Sequence, residues 1–568
     1  MQPLYRGRLR ISSMRESSQF RILFRIFWLR VVDLEILSPD NDAQTLIGHL
    51  AALLAGVSVL FTAPLILIGG PMQQPNLWTF EHLFFATTLT VVGVLAVLSW
   101  DSALPDRRDL LVLGPLPIRI HTIVAAKISA LAGLLGFSAI ALNFLTGLIW
   151  PLLFSAPGSG IVGAVRSIIA YWVTTASIAT LIFCLVLCLQ GGAALILPRQ
   201  IFLRLSSLLQ VAAFTVLFGG YLLEPPLENI AALVAPANRR LLDCLPAYWF
   251  LGVFQQLNGT MRPAFAPLAE RAWIALAVAL LSAAAILLLS WVVKLRGTVE
   301  QPDIVSGRRE NGRPLSFSTP VSTALVQFSL RSLLRSRQHR LFYAFYLSIG
   351  LAVAVLYTGI LDPHVDSLAQ SGSLPAPLIV ASLMILCFAV LGLRIIIAIP
   401  VVLRANWIFQ LTKIDATVTY LRAARRALLV LAVVPIWLAA SALMLYYWLS
   451  WQTMAYLVAL GFVGTILTDL AILSLRKLPF ACSYMPGKGK LHFVFWGGIL
   501  IGLPLINEVG AFAYRLLATR SGSMELLAFV SSCAILLRWY NSGSRQDARA
   551  IRFQEEEPVD LLALRLNS

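Results

Sequence analysis

The chain has 568 residues, of which 58% are hydrophobic and 12% charged, with a formal net charge of +17 and a mean hydropathy of +0.81. This composition excludes a soluble enzyme, because single cores stop growing near about 250–300 residues and the remaining apolar surface would face water. The Lys and Arg residues lie in short runs between apolar segments rather than on one continuous face, which points to basic loops retained in the cytoplasm and away from nucleic acid.

The first apolar stretch, Phe20 to Val32, is interrupted by Arg21, Arg25 and Arg30, so no cleavable signal peptide is expected and the N-terminus should stay inside. RILFRIFWLR places Arg21 and Arg25 four residues apart, with Phe24, Phe27 and Trp28 available for the other face. That pattern suits a helix lying in the cytoplasmic interface, its basic side among headgroups; an ordinary juxtamembrane basic tail is the alternative. Segments long enough to span about 30 Å of hydrocarbon follow at 46–68, 82–100, 122–149, 166–189, 201–223 and 270–293. A second set lies at 339–360, 376–400, 427–448, 453–475, 492–513 and 523–538. The fold class expected is therefore an all-α polytopic membrane protein of about twelve transmembrane helices, arranged as two six-helix halves with interfacial amphipathic helices.

Loop charge gives a separate check on the topology. Seven Arg precede the first span, about nine Lys and Arg lie in 294–340, and the loops at 101–121, 401–426 and 476–491 are basic. The loops at 69–80, 150–165 and 361–375 carry no Lys or Arg. Arg239, Arg240 and Arg262 fall in a long outside loop, where the rule is weak, while Arg515 and Arg520 break it. The expected localisation is the bacterial inner membrane, multi-pass, with both termini cytoplasmic. The polar, Pro/Gly/Ser-rich stretch 297–320 reads as a cytoplasmic linker. It separates a first transmembrane half, 1–296, from a second, 321–568, that ends in a cytoplasmic tail.

Each half opens alike. VQFSLRSLLRSRQHR gives the second half Arg331 and Arg335 at the same four-residue spacing, beside Phe328, Leu330, Leu333 and Leu334. After the second span of the first half, Asp101, Asp106, Arg107, Arg108 and Asp109 precede apolar Leu110 to Leu113, a Gly-Pro-Leu-Pro turn, then Arg119 and Lys127. The second half mixes Arg404, Lys413, Asp415, Arg422, Arg425 and Arg426 with Trp407, Phe409 and Tyr420 at the equivalent place. Loops that only reverse the chain need about four to six residues; these are longer and amphipathic, which predicts docking on the cytoplasmic side.

These residues resemble the permease subunits of type-2 ABC exporters. WDSALPDRRDLLVLGPLPI, leading into IVAAKI, looks like that family's first cytoplasmic loop, and RANWIF, Arg404 to Phe409, like its second-half counterpart. LLDCLPAYWFLGVFQQLNG, Leu241 to Gly259, resembles the apolar re-entrant segment that precedes the family's sixth span, with Pro246, Tyr248 and Trp249 at an interfacial position; a peripheral external loop is the other reading. The second half has no long loop before its last span, so its match is partial. The resemblance implies a membrane-spanning export permease gripped through its cytoplasmic loops by a separate ATPase subunit in two copies. On that reading ATP and Mg belong to the partner, and this chain binds no cofactor of its own.

The residues themselves carry no ATPase or metalloenzyme signature. There is no GxxxxGK[ST], PGKGK at Pro486–Lys490 lacks the phosphate-wrapping spacing, and HExxH is absent. The six His are scattered singly and the six Cys form no CxxC, so neither a catalytic nor a metal site is expected. Arg394, Asp469 and Glu508 lie within or near spans, where a charge must face a partner or water, and Asn143 suits helix packing as well as a pore. An ion-coupled secondary transporter and, less favoured, a membrane enzyme acting on lipid-linked substrates through Asp101, Asp106 and Asp109 stay open beside the permease.

Overall fold

Within a bilayer every backbone N–H and C=O must find its partner inside the segment, which leaves helices as the solution for long apolar runs. The computed structural model describes residues 16–32, 43–68, 77–100, 109, 112–113, 116, 118–155, 158–224, 227, 230–293, 320–358, 374–397, 417–473 and 490–542, and none of these is in a strand. The chain divides into two units, Met1–Glu310 and Asn311–Ser568. The boundary falls inside the stretch 297–320, which, Pro320 apart, lies outside the described residues.

Unit 1 comprises α1 (Glu16–Val32), α2 (Ala43–Ile68), α3 (Leu77–Leu98), α4 (Ile120–Leu142), α5 (Thr146–Phe154), α6 (Gly160–Ile196) and α7 (Arg199–Leu223). Three short turns then lead into α8 (Pro246–Asn258) and α9 (Ala266–Val293). Unit 2 comprises α10 (Pro320–Arg335), α11 (Arg337–Thr358), α12 (Ala376–Ile397) and α13 (Thr417–Leu428), which continues through a π-helical turn at Leu429–Val433 into α14 (Val434–Tyr447). It ends with α15 (Trp451–Leu473), α16 (Lys490–Leu517) and α17 (Arg520–Ser542).

Among the described residues, eight helical stretches have the length and apolarity to cross a membrane: Leu77–Leu98, His121–Leu142, Gly160–Ala193, Pro263–Leu289, Ala376–Ile397, Arg422–Tyr447, Trp451–Leu473 and Arg520–Asn541. Shorter apolar runs lie in α2, α7 and α11, and α16 covers the remaining expected span. Outward-facing Leu53, Leu60, Ile161 and Leu281 are each more than 60% exposed, an arrangement that water opposes and lipid accepts. The architecture is that of a polytopic α-helical membrane protein.

Three sequence boundaries need correction. The stretch expected to span as one helix, 122–149, breaks at 143–145 between α4 and α5. Asn143 fills the break: its Nδ2 donates to Thr88 Oγ1 (3.0 Å) and the Ala139 carbonyl (2.9 Å), and its Oδ1 accepts from the Tyr171 hydroxyl (2.6 Å). The Ser58 hydroxyl of α2 accepts from the backbone N–H of Leu145 and Thr146 at 3.0 and 2.9 Å, satisfying donors that the start of α5 would otherwise leave unpaired. Asn143 is thus a packing hub. The loop expected at 401–426 is helical from Thr417 onward, and α6 extends six residues before and seven beyond the expected 166–189.

Unit 1 buries its core among α3, α4, α6 and α8. At the α8–α9 crossing the backbones approach so closely that a Cβ on Gly252 would stand 2.5 Å from the Ala269 nitrogen and 2.8 Å from the Phe265 carbonyl oxygen, the close approach that small residues allow in membrane helix packing.

Candidate functional site

The two units share one local design. In unit 1 the amphipathic α1 packs on α4: Leu23 and Phe27 are buried against Ile123, Ala126 and Ala130, with Phe20, Phe24 and Trp28 at the margin. Leu23 and Phe27 are four residues apart and so share one helical face, while Arg21 and Arg25 stand exposed on another. Trp28 lies over Gly133, where a Cβ would meet its ring at 2.7 Å, and meets Phe137 edge-on. In unit 2, α10 packs on α13. Leu325, Ser329 and Leu333 form its buried stripe, and Arg331 is exposed. Arg335 closes the helix.

In each unit the helix packed under the opening helix carries a cation pinned to a buried carboxylate. Lys127, seven residues after the start of α4, donates to Asp109 Oδ2 at 2.5 Å, with both side chains 5% exposed. Its ammonium also lies 5.6 Å above the ring of Phe27 on α1, within cation–π range. Arg425, eight residues after the start of α13, makes a two-point bond to Asp469 of α15, 2.5 Å through Nε and 3.0 Å through Nη2. Asn541 of α17 donates to the Asp469 carbonyl at 3.2 Å, and Arg394 of α12 donates from Nε to the Ala471 carbonyl at 2.7 Å. Charges at this depth persist only when paired and hydrogen-bonded. The expectation that Asp469 and Arg394 face partners is met by these contacts; Glu508 is exposed on α16.

Asp109 is the one residue of the predicted first docking cluster among the described residues. Asp101, Asp106, Arg107, Arg108, Arg404, Trp407 and Phe409 lie outside them. The segment expected to be re-entrant forms α8, begun by Pro246 at its first turn and ended by Gly259 at φ +83°, which is the start-with-Pro, stop-with-Gly asymmetry of helices. Tyr248 is fully buried, and Trp249 donates from Nε1 to the Leu242 carbonyl at 2.7 Å. The helix packs against α3, α6 and α9.

A second polar cluster joins α8 to α3. The Gln255 side-chain amide donates to Glu81, which is 3% exposed, and the Thr260 hydroxyl donates to Gln255 Oε1 at 2.5 Å. His82 stacks on Tyr248 with centroids 3.8 Å apart, its Nε2 lying 3.1 Å from Glu224 Oε1. Sequence reasoning missed Glu81 by starting the second span at 82 and counted His82 as one of six scattered histidines, although an adjacent Glu-His pair at the head of an otherwise uncharged helix was a readable signal. Among the described residues no group of three or more His, Cys, Asp or Glu could hold a metal ion. No family model, curated protein or solved structure matches the chain.

Proposed function

We propose that this chain is the membrane-spanning permease of an ATP-driven exporter, with twelve spans in two halves and both termini in the cytoplasm of a bacterial inner membrane. A separate ATPase subunit, in two copies, supplies ATP hydrolysis. The observation that carries the reading is the repeated design: in each unit an amphipathic opening helix clasps the helix that follows a long basic loop, and an ion pair to a buried carboxylate holds that helix. Such a joint transmits force as a rigid body. A push on the loop reaches α4 through Asp109 and Lys127, and reaches α15 through Arg425 and Asp469, as rigid-body switching between inward and outward states requires.

The test is co-purification of the detergent-solubilised chain with a soluble nucleotide-binding ATPase, followed by ATP hydrolysis in liposomes. Charge reversal at Asp106, Arg107 and Arg108 should abolish the pairing; pairing that survives it removes the loop from the mechanism. The buried Glu81–Gln255 contact favours one second reading, ion-coupled transport, since such carriers need a protonatable group within the bundle. Transport that runs without nucleotide, collapses with the proton gradient and is lost in Glu81→Gln would choose it.

A further inference from the structure

Unit 1 carries an apolar groove of about 340 Å³ on the outer face of α6, lined by Val162, Val165, Ile169 and Val173 of α6 and Leu257 of α8, with Arg166 among them. We propose that this groove holds one phosphate-headed anionic lipid of the surrounding bilayer, its phosphate on Arg166 and an acyl chain along the valine and isoleucine face.

Arg166 is held in place for such a role. Its Nε donates to the Leu257 carbonyl at 2.7 Å, and its guanidinium lies against Gly259, where a Cβ would stand 2.6 Å from Nη1. Gly259 therefore serves twice, ending α8 at positive φ and leaving room for the guanidinium. Among the described residues no carboxylate lies within ion-pair distance of Arg166. The Nε bond leaves the terminal nitrogens with no protein acceptor among the described residues, and a guanidinium in that state can receive a phosphate through two parallel bonds.

Depth agrees with this assignment. The 37 residues of α6 run about 55 Å, against about 30 Å of hydrocarbon, so its first turns stand at headgroup level. Arg166 lies about 9 Å from the helix start and Val173 about 10 Å deeper, so the groove runs from headgroup to acyl depth. Arg166 is also the first basic residue after Lys127, and 150–165 carries none. A lone cation beside an apolar channel there calls for an anion with a hydrocarbon tail.

The full-length chain in nanodiscs of equal phosphatidylglycerol and phosphatidylcholine, released and weighed by native mass spectrometry, tests the site. Phosphatidylglycerol should be retained over phosphatidylcholine by roughly fivefold, the value of one cation near an anionic surface. Arg166→Gln should bring that ratio close to one. Val165→Trp, which fills the groove and spares the guanidinium, should lower retention as well, with Ile169→Trp carrying the same test if the first fails to fold. Arg239→Gln, at an exposed arginine away from the groove, should change nothing. Equal retention of the two lipids by the wild-type chain would overturn the assignment. So would an unaltered ratio in Arg166→Gln, an unaltered ratio in the groove-filling variant, an equal loss in Arg239→Gln, or displacement by excess inorganic phosphate alone.

Discussion

Replacing Asp109 with Asn removes the anion from a pair whose two side chains are each 5% exposed and 2.5 Å apart. The Lys127 ammonium then stays buried beside a neutral amide, 5.6 Å above the Phe27 ring. Removing one partner of a buried ion pair costs about 3–5 kcal/mol, whereas replacing both by apolar groups is close to neutral. Unit 1 covers residues 1–310, and for domains of such size each kcal/mol moves Tm by about 2 °C, so Asp109→Asn should melt about 6–10 °C below wild type. Lys127→Met should fall by a similar amount. The double variant Asp109→Leu, Lys127→Met should recover toward wild type relative to either single variant, because neither buried charge is left facing the other's empty place. Fluorescence-detected size exclusion after heating, in one detergent with fixed lipid, reads all four proteins. The deficit should change little with added salt, since a pair this buried is poorly screened. A single variant that melts with wild type, or a double variant as unstable as the singles, would refute the claim that this pair anchors α4.

Asp469→Asn should also destabilise, but less than Asp109→Asn, because Arg425 keeps 18% of its side chain exposed and can draw on water; the same melting assay ranks the two. Gly252→Leu should cost about 1–3 kcal/mol or more by forcing α8 from α9, seen as faster proteolysis between them, while Gly219→Leu, with open space around its Cβ, should not. Trp28→Ala should loosen α1 from Gly133 and Phe137 and speed amide exchange in α1, leaving exchange in α8 at its wild-type rate.

The sequence alone determined the class of the molecule and roughly where most of its apolar helices lie. Apolar runs and basic loops are local properties, readable without knowing what any helix touches. The opening helices were legible for the same reason, from apolar residues beside arginines four apart, but their buried stripes, Leu23 with Phe27 and Leu325 with Ser329 and Leu333, were set by packing. Pro246 and Gly259 bound α8 in a segment that the sequence presented as re-entrant, and its helical form came only with the structure. Only the tertiary structure decided which charge meets which. Glu81 and Gln255 are 174 residues apart, His82 and Glu224 142, and Arg425 and Asp469 44. Such pairings depend on how helices cross and rotate against one another, and that is set by side-chain volume at contacts such as Gly252 on Ala269 and Gly133 under Trp28. The break at Asn143 was hidden in the same way. In sequence it is one amide in an apolar run, and only the nearby hydroxyls of Thr88 and Tyr171, with Ser58 taking up the next two backbone N–H groups, make it the place where α4 ends.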